Sequence, residues 1–149
     1  HGDYHLGQVL YTGKDFVIID FEGEPKRPLT ERRLKRSPLR DVASMVRSFD
    51  YAAHFAVARY ASTALDPGQI PLLEQWAKFW YIWVTPVFLT SYSNAAKQAP
   101  LLPEANREFA TLLNAYLLDK AIYEIGYELD NRPDWLRVPI RGILQLMEE

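Results

Sequence analysis

Apolar and polar residues alternate with two different periods along this chain, and the change of period divides it into two parts. The segments 8–12, "QVLYT", and 16–21, "FVIIDF", are strand-like runs separated by a glycine-containing turn at 13–15, which is typical of a β-hairpin. Residues 22–38 are rich in proline and charge and show little periodicity, which predicts an irregular, exposed connection. A short β part therefore precedes a long stretch of different character.

Beyond residue 38, apolar residues recur at three-and-four spacing, the period of amphipathic helices. We predict helices over about 39–64, 70–97 and 104–129, and a last one from near Pro133 that breaks around Pro139. The residues predicted to face the core are Val42, Met45, Val46, Phe49, Ala53, Ala56, Val57 and Tyr60 in the first helix, Trp76, Trp80 and Trp83 in the second, and Phe109, Leu112, Leu113, Tyr116, Leu117, Ile122 and Ile125 in the third. The predicted fold class is mainly α with a short β-hairpin (α+β).

Composition excludes several classes of partner. The formal net charge is −2, from 17 basic and 19 acidic residues, so there is no broad positive field to bind nucleic acid or an anionic membrane. The most apolar run, residues 79–89, is shorter than the roughly 20 residues that cross a bilayer. Cysteine is absent, which excludes disulfides and thiolate metal sites and is typical of a reducing compartment, so we expect a cytoplasmic protein.

The opening segment, "HGDYHLGQ", holds the groups best suited to chemistry. Asp3 lies between two histidines, and an aspartate beside an alcohol can accept its proton as a general base. The carboxamide of Gln8 and the carboxylate of Asp20 offer the oxygen ligands that Mg²⁺ prefers. An antiparallel hairpin returns the chain to its start, so it brings Asp20 back beside the opening segment. We predict Asp3 as the catalytic base, with Gln8 and Asp20 as metal ligands.

These residues resemble the catalytic centre of protein-kinase-like phosphotransferases. That centre reads H-R-D-x-x-x-x-N and then D-F-G. Here His1, Asp3 and Gln8 occupy the His, Asp and Asn positions, and "DFEG" at 20–23 stands where D-F-G would be. Glutamine in place of asparagine keeps an oxygen ligand, whereas the extra Glu22 changes the start of the following loop.

Four longer segments resemble the small-molecule branch of that superfamily, and the bacterial maltokinases in particular. They are "HGDYHLGQVL", "DFEGEP", "KRSPLRDVASMVRSFDYAA" and "YEIGYELDNRPDWLRVPIRGI". The resemblance implies that residues 1–149 form the C-terminal lobe of a protein-kinase-like fold, with the catalytic loop, hairpin and metal-binding segment in 1–25 and a helical part in 39–149. It implies ATP-dependent phosphorylation of maltose to maltose 1-phosphate with Mg²⁺, and, in some members, fusion to a trehalose synthase.

A glycine-rich nucleotide loop and its partner lysine are not found in this sequence. We therefore expect the N-terminal lobe to be absent from these residues and ATP binding to depend on it. On its own, the chain is expected to have little or no phosphotransfer activity.

The resemblance also assigns supporting roles. His1 would brace the catalytic loop, and Asp41 would hydrogen-bond its backbone, although a helix acid favoured by the macrodipole explains Asp41 equally well. The expected sugar contacts are His5, Lys120, Tyr123 and Glu124; Lys120, Tyr123, Glu124, Tyr127 and Glu128 form adjacent strips of one helix. The simpler interpretation of those strips is a solvated face with Glu–Lys pairing.

Two other functions remain open: an aminoglycoside-type kinase, and a non-catalytic kinase-like module of a trehalose synthase fusion. Polycationic aminoglycosides call for strongly acidic sites, so the mixed lysine and tyrosine set favours a neutral sugar. A scaffold has no need of three converging oxygen groups.

Elsewhere, Trp135 is a candidate functional ring, His54 is predicted to be a packed core residue, and the basic stretch 26–36 is predicted to be a solvated loop.

Overall fold

The computed structural model describes residues 1–25, 27–63 and 66–148. Residues 26, 64, 65 and 149 lie outside these ranges, so the start of the basic stretch and the predicted end of the first long helix at 64 are not described.

The β part is a two-stranded antiparallel hairpin. Strand β1 is Val9–Tyr11 and strand β2 is Phe16–Ile18, with Val9 opposite Ile18 and Tyr11 opposite Phe16. A 3₁₀ turn at Leu6–Gln8 leads into β1. The hairpin is confirmed, but its strands are shorter than predicted because the ladder has only three residue pairs. Asp20 consequently follows the strand instead of ending it.

Five α-helices follow the hairpin in the described chain. They are α1 (Leu29–Arg32), α2 (Leu39–Thr63), α3 (Ile70–Ala96), α4 (Asn106–Asn131) and α5 (Arg137–Glu148), with 3₁₀ turns at Pro67–Gln69 and Pro133–Trp135. The single turn α1 was not predicted. The break predicted at Pro139 is wrong, because Pro139 lies in the first turn of α5, where an amide has no acceptor within the helix.

Helix α2 is the centre of the helical part and packs against both α3 and α4. Its buried apolar residues meet Leu113 and Leu117 of α4 in one cluster. The predicted inward face of α2 is correct as far as Ala53, whereas Ala56 is exposed and Tyr60 is 37% exposed. The first half of α2 therefore carries the core.

The predicted inward stripe of α4 is partly wrong. Leu113 and Leu117 are buried, but Ile122 is 57% exposed, and the stripe continues instead through Ala121, Glu124 and Glu128. Two carboxylates therefore take the place of apolar residues on the buried face of α4, in its C-terminal half.

The tryptophans of α3 are also not in the core. Trp76, Trp80 and Trp83 are 60%, 44% and 59% exposed. Helix α3 touches the core cluster through another face, that of Tyr81, Phe88, Leu89 and Tyr92. Because its apolar residues extend around the helix, the tryptophan stripe is left outside. Even so, none of the described helices combines the length and apolar character that crossing a membrane requires.

Candidate active site

The segment that carries Asp3 is held by His1, whose ring also contacts the residue that follows strand β2. The backbone N–H of Asp3 donates to Nδ1 of His1 at 3.3 Å, and Nε2 of His1 lies 2.8 Å from the carbonyl oxygen of Ile19. Since Nδ1 accepts, the neutral ring carries its proton on Nε2 and donates it to Ile19. One imidazole thus joins the loop of Asp3 to the residue that precedes Asp20. A bracing role for His1 suits this geometry.

Asp41, in the first turn of α2, contacts the backbone of the same loop. The N–H of Gly2 donates to Oδ1 of Asp41 at 2.8 Å. Gly2 has a positive φ of 89°, and a Cβ there would lie 3.2 Å from Cα of Gly23. Glycine allows both the left-handed backbone and the close approach. The carboxylate therefore fixes a loop whose path a larger residue would disturb.

Gln8 and Asp20 meet beside the start of the hairpin. Nε2 of Gln8 donates to Oδ2 of Asp20 at 2.8 Å, and Asp20 is the one described residue other than glycine with a positive φ, 63°. A left-handed backbone is uncommon for a residue other than glycine and costs free energy. Such strained residues are concentrated at functional sites, which favours a functional role for Asp20.

The pair of Gln8 and Asp20 fits magnesium by its donor chemistry. Mg²⁺ binds through one or two carboxylates or amide oxygens and completes its octahedron with water and substrate phosphates. Within the described ranges, no group of three or more His, Asp and Glu side chains is placed to hold a metal alone. A bound ion would therefore draw its remaining ligands from phosphates and water.

Glu24 lies at the centre of an ion-pair cluster that the sequence did not reveal. Its side chain is 2% exposed; Oε1 accepts from Nζ of Lys120 at 2.5 Å, and Oε2 accepts from Arg27 and, at 3.0 Å, from Arg40. Nζ of Lys120 also lies 3.3 Å from Oδ1 of Asp3. The cluster hence joins the "DFEGEP" segment to α2, to α4 and to the predicted base.

This cluster keeps its members charged. Burial disfavours the carboxylate of Glu24, but Lys120 and then Arg27 outweigh that cost, so the pKa of Glu24 is lowered. Burial likewise disfavours the ammonium of Lys120, but Glu24 outweighs it and Asp3 adds to the effect, so the pKa of Lys120 is raised. A charged lysine therefore lies beside Asp3 at neutral pH.

His5 is on the other side of Asp3. Its Nε2 lies 3.9 Å from Oδ2 of Asp3, and its Nδ1 accepts from the N–H of Gly7 at 3.1 Å. The N–H of Leu6 donates to Oγ of Ser48 at 2.9 Å, which ties the turn to α2. Of the four expected sugar contacts, His5 and Lys120 are thus next to the base.

The other two expected sugar contacts differ from each other. Tyr123 is half-buried, with Nζ of Lys120 4.8 Å and the guanidinium of Arg27 5.6 Å from its ring centre. Glu124 is 7% exposed and binds the buried Arg47, so the expected surface position of Glu124 is wrong. Its carboxylate is turned into the helical core, because a charged partner is available there.

Glu128, which the sequence placed on the same surface strip, is also buried. It is 1% exposed and is bound by Nε and Nη2 of Arg132 at 3.0 Å and 2.8 Å.

Trp135 stacks on Tyr51, with ring centres 6.3 Å apart and planes 3° apart. The ring of Trp135 therefore belongs to an aromatic cluster between α2 and the turn before α5.

Two sizeable cavities among the described residues lie away from Asp3. One of about 510 Å³ lies among α2, α3, α4 and α5 beside Arg47, and another of about 510 Å³ is an apolar groove between α2 and α3 at Trp76. A third, of about 470 Å³, borders the catalytic segment at Gly2 and Glu24. The candidate site is therefore identified by its functional groups and not by the volume of a cavity.

Comparison with known proteins bears on this site. No family model matches the chain. Over its whole length it is 30% identical to a glucosamine kinase of Mycolicibacterium smegmatis (strain ATCC 700084 / mc(2)155), and 25% identical to a glucosamine kinase of Streptacidiphilus jiangxiensis. It covers 34% and 31% of those proteins, so it spans about a third of the length of the relatives it matches.

Solved structures give the fold. The chain superimposes on glucosamine kinase in crystal form B with a TM-score of 0.75 and 24% identity, covering 100% of this chain and 33% of that one. For glucosamine kinase in complex with glucosamine, ADP and inorganic phosphate, the TM-score is 0.73 at 24% identity, with coverage of 98% and 32%. These matches show a kinase-like fold and do not point to maltokinases in particular. The predicted fold class is confirmed: the chain is mainly α with a short hairpin, and it matches a fragment of a kinase-like fold that makes up about a third of glucosamine kinase.

Proposed function

We propose that this chain is the catalytic C-terminal lobe of a sugar kinase, which transfers the γ-phosphoryl group of ATP to a sugar hydroxyl. The observation that carries the proposal is similarity over the whole chain to two glucosamine kinases. It is supported by the local hydrogen bonds: His1 joins the loop of Asp3 to the residue before Asp20, and Gln8 donates to Asp20. The superfamily resemblance assigned these same residues to base and metal ligation.

In the proposed reaction Asp3 accepts the proton of the sugar hydroxyl. The hydroxyl oxygen forms a bond to the γ-phosphorus while the bond from that phosphorus to the bridging oxygen breaks, and ADP leaves with the electron pair. Asp20 and Gln8 would hold the magnesium ion, which, when bound, neutralises charge on the phosphates. His1 and Asp41 keep the loop in place through their hydrogen bonds to the backbone. The protein thus contributes mainly positioning and charge.

The remaining nucleotide contacts are proposed to come from an N-terminal lobe. These 149 residues contain no glycine-rich loop and no strand lysine of the kind that holds the α- and β-phosphates. We therefore expect the isolated chain to be nearly inactive, and the experiments on activity use the whole natural polypeptide that contains it.

A hexosamine is the first candidate for the acceptor. Both curated relatives are named glucosamine kinase. Maltose is the second candidate, supported by the resemblance of the four longer segments to maltokinases. A fused or associated trehalose synthase would accompany that second candidate.

An acceptor panel tests the proposal. The natural polypeptide is assayed with ATP and Mg²⁺ and with glucosamine, glucose, maltose and kanamycin as acceptors, and the phosphorylated product is identified by mass. We expect glucosamine to give the highest kcat/KM. The highest kcat/KM for maltose would favour a maltokinase, and the highest kcat/KM for kanamycin would favour an aminoglycoside kinase. No phosphorylation of any of the four would overturn the proposal in favour of a non-catalytic module.

A pair of variants tests the metal site. Asp20→Asn should strongly reduce the rate and raise the Mg²⁺ concentration that it requires. Asp15→Asn, in the exposed turn of the same hairpin, is the matched control and should behave like wild type. Equal rates for the two variants would remove Asp20 from the site.

A further inference from the structure

Lys120 reaches the predicted base from a distant part of the chain. It lies on α4, and its Nζ is 3.3 Å from Oδ1 of Asp3 and 2.5 Å from Oε1 of Glu24. The lysine side chain is 14% exposed and that of Asp3 is 19% exposed. Charge–charge interactions are stronger in such partly desolvated surroundings than in water.

Glu24 fixes where the ammonium group sits. Both oxygens of Glu24 are engaged, one by Lys120 and the other by Arg27 and Arg40, and the side chain is 2% exposed. Rotation of this carboxylate would break several charge-assisted hydrogen bonds at once. A lysine is otherwise flexible, so its fixed position here is imposed by its acidic partner.

The two oxygens of Asp3 are consequently not equivalent. Oδ1 is occupied by Lys120, whereas Oδ2 faces Nε2 of His5 at 3.9 Å, too far for a direct hydrogen bond. Because Nδ1 of His5 accepts from the N–H of Gly7, the neutral imidazole carries its proton on Nε2. A hydroxyl placed between them could donate to Oδ2 and accept from Nε2.

We propose that Lys120, aligned by Glu24, is a positioning residue that holds Asp3 by Oδ1 and leaves Oδ2 as the oxygen that accepts the proton of the sugar hydroxyl. This inference rests on the proposed kinase function and changes the role expected of Lys120, from sugar contact to support of the base. The proton moves from the hydroxyl to Oδ2 as the new bond to phosphorus forms; the protons of Lys120 stay on the ammonium.

Steady-state kinetics separate the two roles. A residue that binds sugar equally in the ground and transition states raises KM when it is removed, whereas a residue that acts through the base lowers kcat with KM little changed. For Lys120→Met in the natural polypeptide we expect kcat for the best acceptor to fall by about 10- to 100-fold, as for a misplaced reactive group. Lys120→Arg keeps the charge and should restore most of the loss.

Two further variants make the test specific. Glu24→Gln keeps Lys120 but releases its ammonium, so kcat should fall as in Lys120→Met. Arg40→Met removes a different cation from the same carboxylate without touching Asp3, and serves as the matched control with a smaller loss of kcat. Melting temperatures of all variants show which of them remain folded. If Lys120→Met does not fold, the comparison of Glu24→Gln with Arg40→Met carries the test.

The outcomes distinguish this inference from the function on which it rests. A wild-type protein that phosphorylates a sugar, with Lys120→Met raising KM at unchanged kcat, would overturn the inference and return Lys120 to the sugar site. Equal losses of kcat in Glu24→Gln and Arg40→Met would show that only the stability of the cluster matters, which also overturns it. A wild-type protein with no sugar kinase activity would overturn the proposed function itself, and the assignment with it.

Discussion

Arg47 offers a direct test of what stabilises the helical part. It is 3% exposed; Nη1 lies 2.8 Å from Oδ2 of Asp50, and Nε and Nη2 lie 2.9 Å and 2.8 Å from Oε2 of Glu124. Asp50 and Glu124 are themselves 6% and 7% exposed. One guanidinium therefore pairs with two buried carboxylates, one from its own helix and one from α4.

Arg47→Met keeps most of the side-chain volume and removes the charge. Breaking a buried pair by removing one partner costs about 3–5 kcal/mol, because the other charge is left uncompensated. At about 2–4 °C per kcal/mol for a chain of this size, the melting temperature should fall by about 6–20 °C. This loss of stability is far larger than that caused by an ordinary surface substitution.

The loss should also depend on pH. Burial raises the pKa of Glu124 although Arg47 opposes the shift, so removal of Arg47 takes away an influence that lowers this pKa. A buried acid with a raised pKa destabilises the fold above that pKa and ceases to do so as pH falls through it. The difference between wild type and Arg47→Met should therefore be smaller at about pH 5 than at about pH 8.

Urea unfolding followed by far-UV circular dichroism at both pH values measures these effects. Arg107→Met, at an exposed position of α4, is the control and should change the free energy of unfolding by no more than about 0.5 kcal/mol. The reasoning is refuted by a loss for Arg47→Met below about 1 kcal/mol, or by a loss that does not change with pH.

Two further predictions concern the same region. A Cβ added at Gly142 of α5 would overlap the guanidinium of Arg47, so Gly142→Ala should destabilise the protein. A Cβ at Gly126 of α4 meets nothing within 4 Å, so Gly126→Ala should stabilise the helix by up to about 1 kcal/mol. Urea unfolding measures both changes. Stabilisation by both alanines would contradict the close contact. The pKa of His54 is raised, chiefly by its side-chain hydrogen bond to Asp50, so the stability it adds is complete below about pH 6.5 and is lost as pH rises through the raised pKa. His54→Asn should therefore cost more stability at about pH 5.5 than at about pH 9, and an equal cost would count against the ion pair.

Much of the fold could be predicted from local pattern. The hairpin follows from two strand-like runs and a glycine-containing turn, and the helices follow from the three-and-four spacing of apolar residues. Periodicity shows which face of a helix is apolar but not which face is covered. The tryptophans of α3 are therefore exposed although their spacing predicted core.

The charged interior could not be predicted in the same way. Glu124 is buried because Arg47, 77 positions away, lies opposite it, and Glu24 is buried because Lys120, 96 positions away, reaches it. No local signal in "DFEGEP" indicates such a partner. The pairing of Glu128 with Arg132 is different, since four-residue spacing on a helix is visible in the sequence.

The candidate site was predictable where a motif fixes spacing. The motif gave His1, Asp3, Gln8 and Asp20 as candidates and the wider resemblance gave Asp41. The structure places all five around the opening loop and the start of the hairpin. Their roles stay predictions. Recognition of the acceptor depends on side chains brought together by the tertiary fold, which is why the sugar contacts were the least predictable part.

The rate of sugar phosphate formation by wild type and by Asp3→Asn, followed by ³¹P NMR in the natural polypeptide, tests the central claim most directly. Asparagine keeps the size of the side chain and cannot accept the proton, so the account predicts ADP and sugar phosphate in equal amounts from wild type and a rate about 10²- to 10⁴-fold lower from the variant. A variant that forms sugar phosphate at the wild-type rate would contradict it.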